Sequence, residues 1–107
     1  MIKRASDIIS KEEIVCKNIS SQARGLMFRL KKQNLIMDFP KERKVSLHMF
    51  FVFYPIDVLL LDKDKKIIEI KNNFRPFTFW KARNKGDYII ELAKEHIKVA
   101  VGDHLDF

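Results

Sequence analysis

The chain has one cysteine, three glycines and three prolines in 107 residues. With Cys16 alone, no intramolecular disulfide can form. Three glycines are too few for a phosphate-cradling loop or a dinucleotide fingerprint. Neither motif occurs, and a GxSxG elbow and a CxxC pair are also absent, so P-loop, Rossmann, serine-hydrolase and thioredoxin-like chemistries are set aside. Low Gly and Pro content alongside a high apolar fraction argues against disorder. No stretch offers the roughly 20 consecutive apolar residues of a membrane helix. The opening MIKRASDIISKEE lacks the continuous apolar segment of a signal peptide, so a cytoplasmic protein is expected.

What is present is a dense apolar centre at residues 45–62, VSLHMFFVFYPIDVLLLD. It begins by alternating, with Val45, Leu47 and Met49 on one face and Ser46 and His48 on the other. It then turns apolar on both faces, as a strand does on entering a core covered on both sides. Proline cannot donate to a central ladder, so Pro55 should mark a strand end, bulge or edge, with residues 58–61 resuming as a second strand. Asp62-Lys63-Asp64-Lys65 forms a polar turn between that strand and residues 66–71, which predicts a hairpin.

The remaining segments read as short elements. Residues 1–11 are either an edge strand or a helical turn capped by Ser6, and residues 14–17 are strand-like through their β-branched side chains. Ser20 and Ser21 are candidate caps of a helix carrying Ala23, Leu26, Met27 and Leu30 on one stripe and stopping at Asn34. Residues 35–39 form a strand and residues 40–44 (PKERK) a charged turn. Residues 88–92 alternate as a strand. Ala93, Ile97, Ala100 and Val101 share helical spacing, with Gly102 at the terminating position. Residues 104–107 close the chain as a strand.

Together these elements predict a single domain over residues 1–107, with its core from about residue 12. The fold class is mainly β: an antiparallel β-barrel or β-sandwich-like domain with one or two short helices.

Three segments carry a family resemblance. They are Arg24-Gly25-Leu26-Met27, then Pro55-Ile56-Asp57-Val58 leading to Leu61-Asp62, then Val101-Gly102-Asp103. In this order they resemble domain-of-unknown-function family 192 over about residues 12–107. Many members have Trp-Met-Lys-Asn before the proline segment, where this chain has His48-Met49-Phe50-Phe51, so a role of that Lys-Asn pair does not carry over. The resemblance implies a compact, mainly β domain and no established activity.

The net charge of +7 favours anionic partners, and the Lys/Glu-rich composition is compatible with a thermophilic source. The richest candidate for binding is residues 74–83. There Arg75, Lys81 and Arg83 interleave with Phe77, Phe79 and Trp80. Aromatic planes stack on unpaired bases while cations neutralise phosphates, so the segment suits a single-stranded nucleic acid as well as another ligand or a protein partner. The bland reading places Phe77, Phe79 and Trp80 in the core, with the charges on the wet side of an extended segment.

Asp57, set among Ile56, Val58 and Leu59, is a candidate acid–base group with His48. The alternative is a carboxylate that accepts from backbone amides at a turn. His48, His96 and His104 show no metal-ligand spacing, so neither metal nor cofactor is expected. The leading expectation is a non-enzymatic binding module using residues 74–83, ahead of nucleic-acid binding by the same segment and hydrolysis centred on Asp57.

Overall fold

The computed structural model describes residues 1–17, 31–48 and 52–107. Among the described residues seven strands are formed: β1 (Ile2–Arg4), β2 (Asp7–Ser10), β3 (Glu13–Cys16), β4 (Asn34–His48), β5 (Ile56–Leu61), β6 (Ile67–Phe74) and β7 (Phe79–Leu92). The first two make a small antiparallel hairpin. The other five form one sheet in the order β3-β4-β7-β5-β6. The expectation of a mainly β domain holds. The sheet stays open rather than closing into a barrel, and its one parallel pair is β3–β4.

The central strands are covered on both faces, which is why they read as unbroken apolar runs. Val58, Leu60 and Ile89 point to one side, with Leu35, Met37, Tyr54 and Phe74. Leu59, Leu61 and Ile90 point to the other, where Ile2 and Ile9 of the β1–β2 hairpin and Leu105 close over them. Residues 1–11 thus form a two-stranded cap that supplies core side chains. Gly86 is required at its place in β7, since a Cβ there would lie 2.2 Å from Leu60 Cδ1.

The β5–β6 hairpin forms as predicted. Asp62 organises its turn, its Oδ1 accepting from Asp64 N at 2.9 Å and Lys66 N at 3.0 Å, with Lys65 at φ 62°. Other expectations are corrected. Residues 40–44 are not a turn: β4 runs through them, and the ladder with β7 shifts register between Asp38 and Arg43. The central stretch contributes the end of β4 and all of β5, on either side of Pro55, and β7 lies between these two strands in the sheet. Residues 104–107 contribute only two isolated bridges, Lys66 to His104 and Lys3 to Asp106.

No helix is present among the described residues. The helix expected after Ser20 falls largely on residues 18–30, outside the described residues, and Asn34 opens β4. The helix expected over residues 93–101 does not form. Its apolar stripe has no face to bury: Ile97 and Val101 are 39% and 61% exposed. Gly102 does adopt the left-handed conformation, at φ 100°.

The backbone at Ala93 and Lys94 is held by Asn34, a buried side chain that joins three segments. Its Oδ1 accepts from Ala93 N at 3.0 Å and Lys94 N at 3.1 Å, and its Nδ2 donates to Ser10 Oγ at 2.9 Å. Substituting Asn34→Ala leaves the buried Ala93 amide without its acceptor, and a loss of about 3 kcal/mol is expected in urea denaturation. A loss below about 1 kcal/mol would mean that water replaces the side chain without penalty.

Candidate functional site

The β6–β7 hairpin carries most of the binding candidates. Phe74 ends β6 fully buried, and the turn is closed by Thr78 Oγ1 donating to Arg75 O at 2.6 Å. Alternation along β7 then sorts the side chains. Trp80 and Ala82 face inward, with the indole edge-on to Phe74 at 6.5 Å between ring centroids. Phe79, Lys81 and Arg83 face outward. Phe79 is 72% exposed and Phe77, at the turn with φ 61°, is 57% exposed. Arg75, Phe77, Phe79, Lys81 and Arg83 therefore lie on the surface, while Trp80 belongs to the core packing.

Asp57 and His48 are not brought together. Asp57 pairs with Leu92 and His48 with Phe79, at opposite ends of β7. The histidine that reaches Asp57 is His96. Its Nε2 lies 2.7 Å from Asp57 Oδ2 and its Nδ1 2.6 Å from Ile97 O. Asp57 Oδ1 accepts from Asn73 N at 2.8 Å, where β6 carries an extra residue opposite β5 and Asn73 adopts φ 49°. Both carboxylate oxygens and both ring nitrogens are thus engaged within the protein. No group of three or more metal-ligating side chains occurs among the described residues.

Beside this pair lies an open cleft of about 640 Å3 between the β5–β6 bulge and residues 92–99. Outside the cleft, Asp103 accepts from Ala100 N at 2.9 Å and from the Arg4 guanidinium at 3.0 Å, and both hold its carboxyl below the usual carboxylate range.

Glu69 and Glu91 were not singled out by the sequence. Glu69 accepts from the backbone amides of Arg83 and Asn84, where β7 departs from regular pairing with β4. Glu91 sits in the middle of the sheet, opposite Leu35 on β4 and Val58 on β5. It is buried, and desolvation pushes its carboxyl from an ordinary value of 4.5 to about 7. The available signal was one acidic residue inside the apolar run Ile89-Ile90-Glu91-Leu92.

The model of DUF192, an uncharacterized family, matches residues 4–107. The chain belongs to the DUF192 family. Family relatives include the UPF0127 protein of Pyrococcus furiosus, 32% identical over 88 residues that cover 78% of this chain and 75% of the relative. A UPF0127 protein of Thermococcus sibiricus is 31% identical over 78 residues, 68% of this chain, and the match spans only 50% of that relative's length. Among solved structures, a Sinorhizobium meliloti protein provisionally described as a transcription regulator is 27% identical, with a TM-score of 0.79 over 86% of this chain and 78% of its own. A Novosphingobium aromaticivorans protein of unknown function shares the fold at 19% identity, with a TM-score of 0.76 over 87% of this chain and 72% of its own. DUF192 membership therefore fixes the domain type and leaves the activity to be argued from the sites.

Glu91 yields a prediction with a definite sign. Its folded-state carboxyl titrates higher than in the unfolded chain, so between about pH 4.5 and 7 the unfolded state loses the proton first. Stability should fall across that window and level off above it. Glu91→Gln should flatten the dependence and be more stable than the parent by about 2–3 kcal/mol at pH 8, relative to pH 4. Urea midpoints measured across pH check this. Parallel curves for the two proteins would place the ionised carboxylate in a solvated or paired environment.

Proposed function

We propose that this DUF192 domain is a non-enzymatic binding module, and that it engages its partner through the outer face of the β6–β7 hairpin. The reading is carried by the exposed surface of Phe77 and Phe79 together with the exposed cations Arg75, Lys81 and Arg83 on the same hairpin. Apolar surface rimmed by charge is the composition of an interaction face. Cations interleaved with them select for negative charge beside an apolar or aromatic group. An acidic protein segment bearing apolar side chains has that chemistry. The hydrogen bonds of Asp57 and His96 to each other and to the Asn73 amide and Ile97 carbonyl support a structural role for the pair in joining β5, β6 and residues 96–97.

A second reading is single-stranded nucleic acid on the same face. Phe79, Lys81 and Arg83 lie on one side of β7 at two-residue spacing, so one phenyl ring is followed by two cations about 7 Å apart along the strand. That order suits a base stacked on the ring with the neighbouring phosphates on the cations. The 27% identical Sinorhizobium meliloti structure, provisionally described as a transcription regulator, adds weight to this reading.

The surface and core roles separate by mutation. Phe79→Ala should leave the melting temperature within about 2 °C of the parent. It should weaken binding of the preferred probe, an acidic aromatic peptide or a mixed single-stranded oligonucleotide, by about tenfold or more in fluorescence anisotropy. Trp80→Ala should instead cost about 3 kcal/mol of stability. Nucleic-acid binding further predicts an affinity that drops steeply with salt and a shallower salt slope for Arg75→Ala and Lys81→Ala. Failure of both probe classes to bind at low salt would remove this face as the binding surface.

A further inference from the structure

We propose that the cleft beside Asp57 and His96 is a second, separate site that binds a small organic phosphomonoester. Three lysines, Lys32, Lys94 and Lys98, converge on it. Among the described residues none of their ammonium groups has an ion-pair partner. Two carboxylates border the cleft: Asp57, which is turned onto His96 and the Asn73 amide, and Glu95. The lysines outnumber them, Lys32 coming from the segment before β4 and Lys94 and Lys98 from the segment after β7. Like charges gathered in this way repel, and a bound dianion relieves the repulsion.

The donor set points to phosphate rather than carboxylate. Ammonium groups act as compact point charges that suit a tetrahedral dianion, and no arginine fork lines the cleft to grip a planar carboxylate. The exposed carboxamide of Asn72 adds neutral donors at the same border. A phosphomonoester carries a charge of about −1.5 to −2 at neutral pH, enough to engage more than one of the three ammonium groups. The floor is apolar, formed by Ile56, Leu92 and Val99, and the volume of about 640 Å3 falls within the range of small-ligand sites. There is accordingly room for an organic body against the floor with its phosphate among the lysines, which inorganic phosphate would leave unfilled. The Asp57–His96 pair acts here as the brace that holds residues 93–97 against the β5–β6 bulge and so keeps Lys94 and Lys98 facing the cleft.

The test is a titration of the full chain with ribose 5-phosphate at about 0.15 M salt, followed by amide chemical shifts. Inorganic phosphate and citrate serve as comparison anions. Saturable shifts at Asp57, Asn73, Lys94 and His96 are expected, with the ester binding more tightly than either comparison anion. The double variant Lys94→Gln/Lys98→Gln alters only exposed side chains and should weaken the ester about tenfold with the spectrum otherwise unchanged. Phe79→Ala should leave ester binding as it is, which keeps this result independent of the hairpin face. The proposal is overturned if no saturable shift develops by about 10 mM ester. Equal binding of ester and citrate, or shifts confined to residues 75–83, would overturn it as well.

Discussion

The pairing of β7 along both of its edges is the constraint on which the rest of the structure depends. Its C-terminal half holds β4 on one side and β5 on the other, and among the described residues no other strand joins the two halves of the large sheet. The packing follows from this. Ile89 and Ile90 face opposite ways at the centre of the sheet, so each apolar layer is nucleated by one of two adjacent residues. Gly86 lets the strand pass close to Leu60, and Glu91, opposite Leu35 and Val58, is buried within the sheet. The two candidate surfaces lie at opposite ends of this strand: the exposed aromatic face where it begins and the lysine-lined cleft where it finishes.

Much of the local structure was legible in the sequence. The β5–β6 hairpin, its Asp62 turn, strand β3 and the left-handed Gly102 all follow from alternation and turn chemistry acting within a few residues. What was not legible is the long-range pairing. Residues 93–101 have a helical apolar period, but Asn34, about sixty positions away, takes the Ala93 and Lys94 amides and fixes an extended path. The basic run at residues 40–44 looks like a turn, and only the ladder with β7 turns it into an irregular stretch of one long strand. Local propensity gave way in both places to partners the sequence does not place side by side.

The candidate site was legible in the same uneven way. Alternation around residue 80 separates an inward Trp80 from an outward Phe79 once the strand is known, and composition had already marked the segment as basic and aromatic. The sequence set His48 beside Asp57, whereas His96 is the histidine that reaches it, because forty positions of chain and a bulge in β6 lie between Asp57 and His96. Lys32, Lys94 and Lys98 are unremarkable among the lysines of a chain this basic, and acquire meaning only through the cleft they share.

Glu69 has a consequence for how the molecule behaves in a crowded solution. A sheet that remains open presents rows of unpaired amides and carbonyls, and such an edge is a template for another chain. Where β7 breaks step with β4, the amides of Arg83 and Asn84 are taken by the Glu69 carboxylate, reaching across from β6. A carboxylate can accept those two bonds but cannot continue a ladder, and it brings a negative charge to the gap. One side chain therefore satisfies the exposed backbone and denies it to a neighbour, which allows a strand-rich protein to stay open at this seam without inviting edge-to-edge growth into fibres.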